Sequence, residues 1–189
     1  MRKTISLLLG IAVAFSLAAG TAEAQSAINV KETISGSVVP LYADLNGDGI
    51  RADLGLCAGK GNLGYYTCKT VTDFDRSGAQ LNTANCPGAF VVEIPLARGG
   101  SHVQMFKQGD LLFWVQDDTV SNYACLDLAT NSWTMITHYS YTGGTGRFDG
   151  ATGPTTMELT GQALSFDLAG NSVQHGTSGT VTGTIYLAK

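Results

Sequence analysis

The sequence predicts an all-β fold, a single antiparallel β-barrel of about eight strands, with a β-sandwich as the alternative. Three observations carry this. Apolar and polar residues alternate with period two along short runs. The 24 glycines, with Asn, Asp and Pro, break the chain between those runs. Helical spacing of apolar residues is hard to find. A sheet of eight or nine strands closes or splits into two layers because an open one would leave bare edges.

The chain begins with an export signal. Arg2 and Lys3 form a positive start, residues 5–19 are apolar, and Ala22-Glu23-Ala24 supplies a small-x-small cleavage pattern. Cleavage is expected after Ala24, leaving residues 25–189 as one secreted domain. A retained anchor is the alternative, but the apolar run is short for a span.

The strands follow in order. Residues 33–39 and 64–72 are short candidates, and residues 41–62 between them, rich in Gly and Asp, read as a long ordered loop. Residues 90–96 set Phe90, Val92, Ile94 and Leu96 on one face. Residues 102–106 lead through the turn Gln108-Gly109-Asp110 into a strand at 111–116. Residues 133–141 put Trp133, Met135, Tyr139 and Tyr141 on one face, with Ile136 and His138 on the other. Met157 and Leu159 alternate with Glu158 and Thr160, and Leu164, Phe166 and Leu168 with Ser165 and Asp167. The run 180–187 alternates threonines with Val181, Ile185 and Leu187. No linker divides these runs into two domains.

Charge narrows the function classes. Removing Arg2, Lys3 and Glu23 with the signal takes the net charge from −4 to −5 over 165 residues. No basic run remains, which argues against nucleic acid as a partner. No second long apolar stretch follows, so no membrane span is expected in the mature chain. Cys57, Cys68, Cys86 and Cys125 are even in number in an oxidising compartment, so two disulfides are expected. Of the three possible pairings, Cys57–Cys68 with Cys86–Cys125 is favoured, because the first pair closes a short ring around a Gly-rich loop. A zinc site is the rival, and it lacks a C-x-x-C pair or a nearby pair of histidines.

Two motifs could hold a cation. Asp44-Leu45-Asn46-Gly47-Asp48-Gly49 places oxygen ligands at positions one, three and five and Gly at six, the first half of a calcium loop. The Ile50 carbonyl would follow, and Asp53 would have to serve where position twelve is Gly55. The alternative is an Asx-rich turn bonded to its own backbone. Asp73-Phe74-Asp75-Arg76-Ser77-Gly78 repeats the spacing with an arginine inside it, and a surface turn suits it better.

The run GGTGRFDGATG spans residues 143–153. It lacks the phosphate-loop lysine and lies between strands, so it reads as a bulged corner. There Gly143, Gly144, Gly146, Gly150 and Gly153 allow the path and Phe148 plugs the core. This string resembles the signature of the allene oxide cyclase-like barrel group, which includes the plant dirigent proteins. It is most similar to secreted bacterial members that carry GGTGRF-x-GATG. The resemblance covers roughly residues 90–187, including Gly109-Asp110-Leu111-Leu112, Cys125-Leu126-Asp127 and the final T-G-T strand. It implies an eight-stranded antiparallel barrel with an interior cavity. Both named kinds of protein use acidic groups in that cavity; Glu32, Glu93 and Glu158 are the conceivable counterparts, and no role is carried over to any of them.

Catalytic patterns are otherwise sparse. There is no G-x-S-x-G, and His102, His138 and His175 are scattered and read as surface residues of strands or loops. Glu93 is expected on the outer face of its strand. Trp114, Trp133 and the seven tyrosines either line a pocket or fill the barrel. The leading expectation is a secreted or periplasmic barrel that binds a small apolar ligand, with calcium as a possible structural ion. The alternatives are a cyclase or isomerase acting on a lipid-like or phenolic intermediate, and an envelope protein with a filled barrel.

Overall fold

The computed structural model describes residues 25–41, 43–45, 47–166 and 172–188. The expected signal peptide, Asn46 of the calcium motif and Leu168 lie outside the described residues. Among those described are eleven strands. They are β1 (Ser26–Pro40), β2 (Ala52–Gly61), β3 (Gly64–Asp73), β4 (Gln80–Leu81), β5 (Val91–Pro95), β6 (Ser101–Phe106), β7 (Leu111–Gln116), β8 (Tyr123–Asp127), β9 (Ser132–Gly144), β10 (Thr152–Phe166) and β11 (Ser172–Leu187). Every pairing is antiparallel. Eight of the strands close a barrel in the order β1-β2-β3-β6-β7-β9-β10-β11, with β11 returning to β1.

Period-two alternation sends one face of each strand inward. On β1, Val30, Glu32 and Ile34 are buried while Lys31, Thr33 and Ser35 are exposed. The interior is filled by Tyr66, Phe106, Leu112, Trp114, Tyr139, Tyr141, Met157, Val181 and Ile185, all 5% exposed or less. Such aromatic bulk fits because glycine stands opposite it. A Cβ on Gly59 would strike the Tyr66 ring, and one on Gly161 would strike the Trp133 indole.

β9 gives the barrel its asymmetry. Its second half, Tyr139–Gly144, pairs with β7, while its first half, Ser132–Ile136, pairs on the same edge with β8. β8 carries β5, and β5 carries β4. The end of β3 meets this annex through a bridge between Phe74 and Leu96. The wall formed at one end by β6 and β7 is therefore formed at the other by β5 and β8.

The disulfides join Cys57 to Cys68 and Cys86 to Cys125, the pairing favoured from spacing. The first links directly opposed residues of β2 and β3; the second ties the β4–β5 loop to β8.

The structure corrects four expectations. Residues 41–62 are not all loop, because residues 52–61 form β2. Its inward positions are Asp53, Gly55, Cys57, Gly59 and Gly61, so no apolar alternation marks it. Residues 157–166 form one strand, β10, with residues 152–156, and Leu164 is 61% exposed beside a register shift. Phe90 sits before β5 and is 66% exposed, not on a buried face. His102 is a core residue, not a surface one. Its Nδ1 lies 2.5 Å from the Thr70 hydroxyl, its ring stacks on Trp114, and burial lowers its pKa to about 3.

Candidate functional site

The Gly-rich corner builds the closed end. β9 bulges against β7 between Phe113 and Trp114, and the chain then turns through Gly146–Phe148. Gly146 and Gly150 have φ of 60° and 65°, a region that side chains other than glycine rarely enter. This delivers Phe148 into the core at 1% exposure. Arg147 locks it there. Its guanidinium lies 4.8 Å from the centre of the Phe106 ring and 4.5 Å from that of Phe148. It donates to the Leu63 carbonyl at 2.6 Å and pairs with Asp110 at 3.3 Å. Guanidinium stacking and hydrogen bonding thus close this end of the barrel.

The opposite end is open. A cleft of about 170 Å³ is bordered by Val38, Phe74, Ile94, Leu126, Trp133 and Ala163, with Asp53, Arg76, Asn131 and His175 as its polar members. Beyond it lies a smaller cavity of about 30 Å³ between Ile34, Met135, Met157 and Leu159. Val38, Asp53, Phe74 and Trp133 line both spaces, and this shared set is termed the throat. The annex supplies the outer wall: Ile94 on β5 faces Ala124 on β8, which in turn faces Met135 on β9.

Register fixes the polar members. Asp53 stands opposite Thr72 on the inner face of β2 and is 8% exposed. Burial pushes its carboxyl pKa up; the guanidinium of Arg76 opposes the rise, and Asp73 adds to it. Arg76 follows β3, keeps a side chain 66% exposed, and approaches Asp53 to 3.9 Å. At that distance the pair is an ion contact rather than a charge-assisted hydrogen bond. His175 accepts from the Trp133 indole N–H at 3.1 Å on Nδ1, so the ring is neutral with its hydrogen on Nε2. Burial, aided by Arg76, lowers its pKa.

The other acidic residues lie elsewhere. Glu32 faces the interior at 4% exposure and accepts from Gln104 Nε2 at 2.9 Å. Burial raises its pKa, and the polar groups of Gln104 and Tyr66 offset this in part. It borders neither the cleft nor the inner cavity. Glu93 accepts from the Thr83 hydroxyl and, at 3.2 Å, from Asn85, on the outer face with Cys125 opposite. Glu158 is exposed.

Of the calcium motif, Asp44 accepts from the Gly47 and Gly49 amides at 2.7 and 2.9 Å, and Asp48 from the Ile50 amide at 2.8 Å. This closes an exposed turn bonded to its own backbone. Asp53 is turned into the barrel. No three His, Cys, Asp or Glu side chains converge among the described residues. In the second motif Asp75 caps its own turn, accepting from Ser77 and Gly78.

Compared with known proteins, the chain matches no family model and no curated protein. No helix among the described residues is long and apolar enough to cross a membrane.

Sequence reasoning missed the cleft because its walls come from seven strands that are distant in the chain. Trp133 was the one residue of the throat singled out as a possible pocket group.

Proposed function

We propose that this is a secreted or periplasmic barrel that binds a small apolar ligand in the cleft at its open end. One observation carries the reading: an apolar-walled cleft of about 170 Å³ shares Val38, Asp53, Phe74 and Trp133 with a smaller cavity inside the barrel, while the opposite end is plugged. A dry cavity of about 150 Å³ is known to hold benzene, which sets the ligand's scale at a single ring. Membership of the allene oxide cyclase-like group is part of the same proposal. It is supported by the 143–153 string and by a closed eight-stranded barrel.

The cyclase or isomerase reading has less support. The buried carboxyl Glu32 borders neither the cleft nor the inner cavity, and the cleft is small for a lipid. The filled-barrel reading suits the closed half alone. Export is supported by the N-terminal pattern and by two disulfides, which persist in oxidising compartments. A calcium ion on Asp44, Asp48 and the Ile50 carbonyl is a separate proposal, supported by the spacing and by the closed turn.

Titration with benzyl alcohol, followed by Trp133 fluorescence, tests the binding reading. Saturable binding is expected near millimolar, about 0.5 kcal/mol for each ligand atom. It should vanish in Ala163→Trp, which fills the cleft from its rim. Binding that is absent, or unchanged by this substitution, would overturn the reading.

A further inference from the structure

We infer that the throat selects an organic cation, a small aromatic or aliphatic ammonium, as the ligand. This deepens the binding reading above and rests on it.

The throat has a specific composition: one carboxylate (Asp53), two aromatic side chains (Phe74 and Trp133) and one aliphatic (Val38). A carboxylate beside aromatic faces is what an alkylammonium uses, because ring quadrupoles and a fixed negative charge attract the same group. The polar members differ in how they are held. Asp53 is fixed by β2 at the throat itself and is 8% exposed. Arg76 borders only the outer cleft, on a side chain 66% exposed, and touches Asp53 at 3.9 Å without a close hydrogen bond. The guanidinium thus occupies the position of a cationic ligand and is free to swing into water when one arrives. His175 brings no competing charge, since its Nδ1 accepts from Trp133.

An anion would meet the reverse. It would approach Asp53, with Asp73 adding to the negative field there. Drawing Arg76 away would leave a buried carboxylate without its counter-charge, which is costly. A neutral ligand would leave the Asp53–Arg76 contact standing and gain only apolar contacts. The cation alone replaces Arg76 and restores the charge balance at the throat.

Calorimetric titration of the purified protein at neutral pH with benzylamine, benzyl alcohol and benzoate separates these cases, since the three share one ring and differ in charge. Benzylamine, as its ammonium ion, should bind at least tenfold more tightly than benzyl alcohol, and benzoate least. Asp53→Asn should reduce benzylamine to the affinity of the alcohol while leaving the alcohol unchanged. Arg76→Gln, at an exposed position, should raise benzylamine affinity several-fold by removing the resident cation. Equal binding of amine and alcohol would overturn the inference and leave the binding reading intact. Preference for benzoate, lost in Arg76→Gln, would overturn it in favour of an anion. If none of the three binds, the binding reading fails and the inference falls with it.

Discussion

Loop closure gives a quantitative handle on how the two disulfides hold this barrel. Cys57–Cys68 spans 11 residues and Cys86–Cys125 spans 39. In the chain-entropy account, a crosslink stabilises by restricting the unfolded chain, and more so for the longer loop. These spans correspond to about 2.8 and about 3.9 kcal/mol. For a domain of this size that is a loss of roughly 6–11 °C and roughly 8–16 °C in melting temperature. Packing does not reverse the order. Each bridge has one cysteine in the core, Cys68 at 2% and Cys86 at 1% exposure, so replacing either pair by alanine empties a similar volume. The β2–β3 ladder also holds Cys57 against Cys68 without the bond, whereas little else ties the β4–β5 loop to β8. Urea and thermal melts of Cys57→Ala/Cys68→Ala and Cys86→Ala/Cys125→Ala should therefore rank the second pair as the more costly. A larger loss from the first pair, by more than about 1 kcal/mol, would refute the entropic reasoning and put the stabilisation in the native-state packing of the barrel wall.

Other measurements test particular residues. Glu32→Gln should stabilise the protein by about 1–2 kcal/mol at pH 7–8, with the gain shrinking toward the ordinary glutamate pKa. The sign follows from burial. The folded-state pKa of Glu32 is raised, so the folded protein binds the extra proton. The stability tied to this group is complete below the unfolded value and lost as pH rises through the folded one. The introduced amide can donate to Gln104 Oε1, which lacks a partner. Urea titrations of both proteins across pH 4–8 check this, and a constant difference would refute it. Gly161→Ala drives a methyl group into the Trp133 indole, so a loss of about 1–3 kcal/mol and weaker benzyl alcohol binding are expected together. A loss of stability with unchanged binding would take Trp133 out of the throat. With Asp53 turned into the barrel, the proposed calcium site keeps few ligands, and a dissociation constant near millimolar is expected. At ten times that concentration calcium should add about 1.4 kcal/mol, or roughly 3–6 °C, relative to chelator. That shift should disappear in Asp48→Ala, and its absence in the native protein would reduce the loop to an Asx turn.

The barrel was legible wherever inward positions carry large apolar groups. Met135, Tyr139 and Tyr141 alternate visibly, and β9 contains the expected run. It was illegible where those positions carry glycine. β2 turns Gly55, Gly59 and Gly61 inward, because the space above them belongs to Thr70, the Tyr66 ring and Glu32. Their alternation with polar residues looks like a loop, although it is the complement of its neighbours' bulk. His102 was misread for a related reason: a polar residue on an otherwise ordinary strand reveals its burial only through its partners, Thr70 and Trp114. The cleft was hidden more deeply. Asp53 comes from β2, Trp133 from β9 and His175 from β11, and no local spacing relates them.

The 143–153 motif and the candidate site lie at opposite ends, which explains why that motif says little about function. Gly146, Arg147 and Phe148 solve a packing problem: they stop the barrel with a ring and hold that ring with a guanidinium bonded to Leu63 and Asp110. The open end is set instead by the point at which β9 exchanges β7 for β8. The annex strands β5 and β8 line the cleft there with Ile94, Ala124 and Leu126, and the disulfide to Cys86 braces them from outside. Because these strands stand outside the eight-stranded ring, their inner side chains can change without breaking its closure. Under the proposed binding reading, ligand preference is set by the annex and the throat, and substitutions there should alter binding while the plugged end keeps the fold.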